Sequence, residues 1–316
     1  MEDTTRRNII AVDVGGTKVA CGIVTFDGTA PVVRAVEEVP TDAQRGGQAV
    51  LATVVAAVRA AQIRADWEVS GIGVSSAGVI DPRTGVVTFA NDLMPGWGGI
   101  PLGPELQREL GLPTSVMGDV HAHALGEARW GAGRDYASCL VVAVGTGIGG
   151  AFVERGSVML GAHNVAGHVG HVACAEAVGI PCACGAVGHL EPVASGPGIA
   201  AEYARRTDVV VDGRETVRRA GAGDSDAIAA VSRAGRALGS TLGSLCNVLD
   251  PAAVILSGSV ATSGKIWRDA LDDGFAAQAM APVAATPVVM GRLGGDAPLV
   301  GAAENHLNPA YDGLRS

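Results

Sequence analysis

The sequence predicts an α/β protein built from two weakly similar halves, and three observations carry that expectation. Apolar residues make 48% of the 316-residue chain and aromatic ones 3%, so Ala, Val, Leu and Ile must build the core, a mixture suited to buried strands packed on Ala-rich helices. Strand-like runs alternate with helical ones along the chain. A strand, a glycine turn and a second strand recur, at 9–26 and again at 138–160. The chain is also about twice the usual domain length, which accommodates two lobes.

Residues 9–14 (IIAVDV) read as a buried strand ending in Asp13 and the turn Gly15-Gly16. The strand pattern resumes over 18–26, giving a hairpin, and a third strand follows near 32–39. Residues 48–64 have helical spacing, and 69–75 is a short apolar strand. Asp81-Pro82 and Thr84-Gly85 are turn chemistry, and 102–110 reads as a short helix closed by Gly111. The first lobe is expected to span 1–117, completed by a C-terminal helix at about 300–316. The second lobe, 118–299, opens with a helix over 119–130. An apolar strand, 138–144, then runs into Gly145-Thr146-Gly147-Ile148-Gly149-Gly150, and strands at 151–154 and 158–160 flank Arg155-Gly156. A loop rich in His, Cys and Gly occupies 161–188. Helices follow at 198–206, 215–220 and 225–249, then a strand at 254–256 ending in Ser257-Gly258-Ser259, a helix, a strand near Val288 and a last helix at 300–307.

Net charge is −9 and the isoelectric point about 5.2, with no Lys/Arg block. Nucleic acid and anionic membranes are therefore not expected partners. The longest Ala/Val-rich run, 49–61, contains Arg59 and is too short to span a bilayer. MEDTTRRN leads directly into the first strand without an apolar leader, so a cytoplasmic protein is expected. Six cysteines, two of them spaced C-x-C, argue against a disulfide scaffold and make metal binding the first chemistry to test.

Asp13-Val14-Gly15-Gly16-Thr17-Lys18 puts a carboxylate at a strand end beside two residues without a Cβ. Backbone N–H groups there can approach phosphate oxygens while the carboxylate orients hydrated magnesium; the plainer alternative is a Gly-Gly hairpin with a capping Asp. No G-x-x-x-x-G-K-[ST] occurs, so this is not a P-loop. Gly145, Gly147 and Gly150 satisfy G-x-G-x-x-G, but AFVERGSVML after them is hairpin-like and supplies no helix N-terminus, which excludes a dinucleotide-binding unit. A second phosphate loop, with Thr146 as a donor, fits better. Asp119 opens a helix after Gly118 and either caps it or acts as a base. His171, Cys182, Cys184 and His189 make a soft, four-ligand set suited to tetrahedral zinc, with Cys174 or His168 as substitutes, or else a reduced loop without metal. Glu191 caps a helix or binds sugar hydroxyls, and Asn91 reads as a turn residue. His121 and His123 read as packing residues.

Jointly, DVGGTK (13–18), SSAGVID (75–81), GDVHAHALGE (118–127), VGTGIGG (144–150), AGHVGH (166–171), CACGAVGHLE (182–191) and VILSGSV (254–260) resemble the ROK family (repressor, open reading frame, sugar kinase) of the actin/hexokinase/Hsp70 ATPase superfamily. The resemblance implies a two-lobed actin-like ATPase (ribonuclease H-like) fold with an interlobe active-site cleft. It implies an ATP-dependent kinase for the 6-hydroxyl of a hexose or N-acetylhexosamine. Asp13, Gly15, Gly16, Thr17 and Lys18 would form one phosphate loop and Gly145, Thr146 and Gly147 the other, with Gly258 near adenosine. Asp119 would be the catalytic base. Gly78, Asn91, Asp119, His168, His171 and Glu191 would contact the sugar. Mg-ATP is the implied cofactor, structural zinc the implied metal, and a homodimer or homotetramer the implied assembly. Three residues depart from the family pattern: Gly118 stands where Asn is usual, so one expected sugar hydrogen bond is missing unless water or His121 replaces it; His168 replaces the Glu of E-x-G-H; and His189 replaces the third Cys. The second departure resembles bacterial N-acetylmannosamine kinases more than glucokinases. Two other classes remain for comparison. A repressor is not expected, because only about eight residues precede the first strand and a helix-turn-helix needs more. A non-catalytic sugar or nucleotide sensor would bind without turnover.

Overall fold

The computed structural model describes residues 6–65 and 68–311. β1 (Arg7–Val14) and β2 (Lys18–Phe26) pair antiparallel from Arg7 opposite Phe26 to Val14 opposite Val19. β3 (Val32–Pro40) adds to β2, and α1 (Gly47–Arg64) follows. β4 (Gly71–Ser76) returns parallel to β1, so that Asp13 lies opposite Ser75. β5 (Val79–Asp81) and β6 (Val86–Phe89) form a small hairpin around the 81–85 turn; strands of three and four residues are too short to show periodicity in the sequence. α2 (Leu102–Leu110) ends at Gly111 in the left-handed conformation, as expected. β7 (Thr114–Gly118) pairs parallel with β4 and runs directly into α3 (Asp119–Trp130).

The pattern then repeats. β8 (Ser138–Val144) and β9 (Ile148–Glu154) form a second hairpin, and β10 (Ser157–Val158) extends it. β9 starts three residues before the expected 151, because Gly149 and Gly150 pair in the strand although glycine disfavours it. β10 is shorter than the expected 158–160. After α4 (Glu191–Ala194), α5 (Gly196–Thr207), α6 (Gly213–Gly221) and α7 (Ser225–Leu249) come β11 (Ala253–Ser257), α8 (Lys265–Gln278), β12 (Val288–Met290) and α9 (Ala297–Leu307). α5 begins at Gly196-Pro197-Gly198, where Ser195 caps it by accepting from Gly198 N at 3.2 Å. Among the described residues the two large sheets have orders β3-β2-β1-β4-β7 and β10-β9-β8-β11-β12. Each is an antiparallel hairpin whose first strand carries the parallel additions, so the recurrence read from the sequence is one topology used twice.

The described residues of 1–135, 153–166 and 292–316 form one compact unit and those of 136–152 and 167–291 another. The division expected from the sequence (1–117 with 300–316, against 118–299) differs at α3, at 153–166 and at 292–299; its last five residues, 312–316, lie outside the described residues. The physical reason is close packing of α3 on α9. A Cβ on Gly301 would fall 1.8 Å from the Ala122 carbonyl, and one on Gly126 would fall 2.3 Å from that of Ala297. Arg129 adds a bidentate contact to the Gly156 carbonyl, at 3.0 and 2.8 Å, and an ion pair with Glu304. The first unit buries Val12, Val74, Trp97 and Leu106 on one side of its sheet and Ile9, Phe26 and Val300 on the other. The second buries Val142, Leu190, Leu238 and Trp267.

Candidate active site

In the first unit, Asp13 stands near the end of β1, where parallel pairing with β4 brings the buried Ser75 hydroxyl to donate to its Oδ1 at 2.6 Å. Burial raises the Asp13 pKa, while the Ser75 hydrogen bond and the charge of Lys18 oppose that shift. The loop after it is braced from behind: Thr41 donates its N–H to the Thr17 carbonyl at 3.1 Å and its hydroxyl to that of Gly15 at 2.7 Å. Gly16 and Thr17 are left exposed. Lys18 pairs with Glu38 on β3, so its ammonium is directed along the sheet. The loop is therefore a Gly-Gly hairpin, but Asp13 is held by Ser75 and caps no helix.

Asp119 is the first residue of α3. The N-cap position is Gly118, which has no side chain to cap with, and the Asp119 carboxylate accepts the adjacent Val120 N–H, at 2.8 Å. It therefore does not do the work of an N-cap, which accepts from the second or third residue beyond itself. Burial, then the charge of Asp13, push its pKa up to about 6, a value suited to a base working near neutrality. His121 is 3% exposed, and its Nε2 lies 3.0 Å from the Ala166 carbonyl. His123 is half-buried, and burial lowers its pKa.

Gly78 has φ 96°, and a Cβ there would sit 2.7 Å from the Phe89 carbonyl. Only glycine suits that position, which brings residue 78 beside the segment carrying Asn91. Asn91 is exposed and forms a turn, its Oδ1 accepting from Leu93 N at 3.2 Å. The Trp97 indole N–H anchors the end of this loop to Ser76 Oγ and the Ala77 carbonyl, both at 3.2 Å.

In the second unit, the loop after β8 is closed by Gly145 N donating to the Gly147 carbonyl at 2.9 Å, and Gly196 N donates to that of Gly145 at 2.9 Å. Thr146 and Gly147 are exposed. Glu191, at the start of α4, accepts from Ile148 N at 2.8 Å, and a Cβ on Gly147 would fall 2.7 Å from the same carboxylate oxygen. The glutamate is thus fastened to the end of the second glycine loop. Gly258, at φ 87°, packs so close to Val144 that a Cβ would meet its carbonyl at 2.3 Å. Directly after it, Ser259 and Val260 line a cleft of about 750 Å³ with Gly145, Thr146, Gly196, Ile199 and Gly213. Two helices begin there: α5, capped by Ser195, and α6, capped by Asp212 through Glu215 N at 2.8 Å. Their N–H ends favour anions. The sequence reading did not find Gly196, Asp212-Gly213-Arg214 or Thr262-Ser263 as cleft residues, although the cap residues Ser195 and Asp212 were legible signals.

The ligand atoms of His171, Cys182, Cys184 and His189 all lie within 4.8 Å of one another. Cys182 Sγ is 3.5 Å from His171 Nδ1, and Cys184 Sγ is 3.3 Å from His189 Nδ1. Sulfur and nitrogen on one tetrahedral zinc are separated by about 3.5 Å, so donor set and spacing fit that metal. Burial raises the Cys182 thiol pKa; a cation would reverse the shift. Cys174 is outside the cluster and donates to Glu176 Oε2 at 3.1 Å. The His168 ring stacks on that of His171, with centroids 6.2 Å apart, and His189 meets His171 edge-on at 5.4 Å.

The model of the ROK family matches residues 9–307. The glucokinase of Halalkalibacterium halodurans is 31% identical, over 92% of this chain and 92% of its own. The N-acetylmannosamine kinase of Shigella flexneri is 32% identical over 80% and 83%. Among solved structures, the ROK hexokinase of Thermus thermophilus superposes with a TM-score of 0.80 at 32% identity, covering 94% of this chain and 96% of that one. The ROK glucokinase of Streptomyces griseus, in complex with glucose and AMPPNP, gives 0.80 at 28%, covering 94% and 98%. The fold is thus the actin-like ATPase fold of these kinases. Since the match runs through Asp13, Asp119, both glycine loops and the His/Cys cluster, the chain belongs to the ROK family.

Proposed function

We propose that this chain is an ATP-dependent sugar kinase that phosphorylates the 6-hydroxyl of a hexose or N-acetylhexosamine, with glucose and N-acetylmannosamine as the leading acceptors. The observation that carries the reading is Asp119: a carboxylate at the start of a helix, not used as its cap, with its pKa raised to about 6 beside a second carboxylate. In the proposed reaction the 6-hydroxyl oxygen forms a bond to the γ-phosphorus, the bond to the ADP oxygen breaks, and Asp119 takes the hydroxyl proton. A weak base suffices because the transition state is loose.

Gly16 and Thr17 of one loop and Thr146 and Gly147 of the other are exposed and would meet phosphate oxygens, Gly15 and Gly145 closing the two loops, and Lys18 adds positive charge near Asp13. The cleft beside Gly258 is large enough for adenosine, and its apolar Ile199 and Val260 suit a base. Asp13 would orient hydrated magnesium, which supplies charge neutralisation on the phosphates. Gly78, Asn91, His168, His171 and Glu191 are the proposed sugar contacts. Zinc held by His171, Cys182, Cys184 and His189 would be structural, fixing the segment between His168 and Glu191.

The acidic balance supports an enzyme without nucleic-acid or anionic-membrane partners, a cytoplasmic location is part of the same proposal, and no helix among the described residues is long and apolar enough to cross a membrane. A homodimer or homotetramer rests on the resemblance. The sensor alternative is not favoured, because both glycine loops and the base are present. An ADP-release assay across glucose, mannose, N-acetylglucosamine, N-acetylmannosamine, fructose and allose tests the reading. Selective turnover supports it, and binding without turnover returns the sensor.

A further inference from the structure

Gly118 precedes the proposed base, yet its backbone does not require glycine. Its φ of −64° and ψ of 148° are open to any residue, and side-chain caps such as Asn or Asp are favoured at an N-cap. What crowds a side chain there is the ring of His121. A Cβ on residue 118 would lie 3.1 Å from His121 Nδ1 and 3.8 Å from two ring carbons. The imidazole, one turn further along α3, leans back toward the helix start as helical side chains do, and fills the volume over Gly118. Its other nitrogen faces the Ala166 carbonyl at 3.0 Å, and a carbonyl only accepts, so Nε2 carries the hydrogen. The chain continues from Ala166 directly through Gly167, at φ 91°, to His168. Gly118 and His121 thus form a matched pair at the start of α3, a position without a side chain and the ring that packs over it, directly beside the base.

We propose that His121 is a positioning residue for the acceptor sugar: seated over Gly118 and tied by its Nε2–H to the Ala166 carbonyl, it fixes the first turn of α3 and with it Asp119, itself a proposed sugar contact. This rests on the kinase reading. Sugar recognition then depends on the pair, while nucleotide recognition does not.

The test compares wild type, His121→Ala, His121→Gln, Gly118→Ala and the double variant Gly118→Ala/His121→Ala, measuring KM for the best sugar, KM for ATP, zinc content and Tm. His121→Ala is expected to raise the sugar KM tenfold or more with the ATP KM within twofold. His121→Gln, which keeps an N–H of similar reach, is expected to recover most of that loss. Gly118→Ala, by pushing the ring, is expected to raise the sugar KM severalfold alone and to add nothing to His121→Ala. A sugar KM within twofold of wild type in folded His121→Ala overturns the inference, as does a parallel rise of both KM values, which marks a merely structural role. If His121→Ala does not fold, an unchanged sugar KM in both His121→Gln and Gly118→Ala supports only packing and overturns it too. A wild-type chain that turns over no sugar overturns the kinase reading and this inference with it; an active wild type with unmoved variants overturns this inference alone.

Discussion

At the scale of single residues, the account turns on a carboxylate that the fold makes uncomfortable. Asp119 is held near pH 6 by burial and by Asp13, so between about pH 4 and 6 the folded chain binds a proton there more tightly than the unfolded chain does. Its contribution to stability therefore falls as pH rises through that window and stays unfavourable above it. Asp119→Asn should raise Tm at pH 7.5, by the equivalent of about 1–2 kcal/mol, and lose that advantage near pH 4.5; an equal gain at both pH values would exclude the carboxylate as its source. Activity should follow the opposite course, with kcat dropping below about pH 6 as the base is protonated. Much of this was legible in the sequence, because Asp13, the glycines and Asp119 stand at strand and helix ends. What was not legible was the Ser75 contact, which depends on pairing between strands some sixty residues apart, or the seating of the His121 ring over Gly118, which depends on packing.

At the scale of elements, two features are open to direct measurement. The α3–α9 crossing is close enough that Gly301→Ala must separate the helices; a loss of about 2–4 kcal/mol is expected in denaturant unfolding, and a change under about 0.5 kcal/mol would show that the crossing relaxes freely. The His/Cys segment has little regular structure between His168 and Glu191, so zinc would supply much of its order. Chelation should lower sugar affinity tenfold or more while ATP affinity moves less; elemental analysis below about half a zinc per chain in fresh protein would count against the site. The helices α2, α3 and α7 were readable to the residue from their helical spacing. Elements with glycines among their first residues, β9 and α5, were read late, because glycine has a weak intrinsic preference for strand or helix that pairing and capping override.

At the scale of the whole molecule, the repeated hairpin seen in the sequence is a repeated sheet topology, and each copy places a glycine loop at the end of its first strand. Composition and recurrence were enough to anticipate that, since strand order follows from short antiparallel turns and longer parallel returns. The division into units was not, because α3 and 153–166 join the first unit through side-chain and close-helix contacts that no local pattern records. The most direct measurement of the central claim is sugar-dependent ADP release by wild type and Asp119→Ala, with sugar and ATP binding measured in parallel. The account predicts turnover of at least one hexose or N-acetylhexosamine by wild type, and a fall of about 10²–10⁴-fold in kcat for the variant with both affinities within a few-fold. Turnover that survives Asp119→Ala, or a wild type that binds both ligands and transfers nothing, would contradict it.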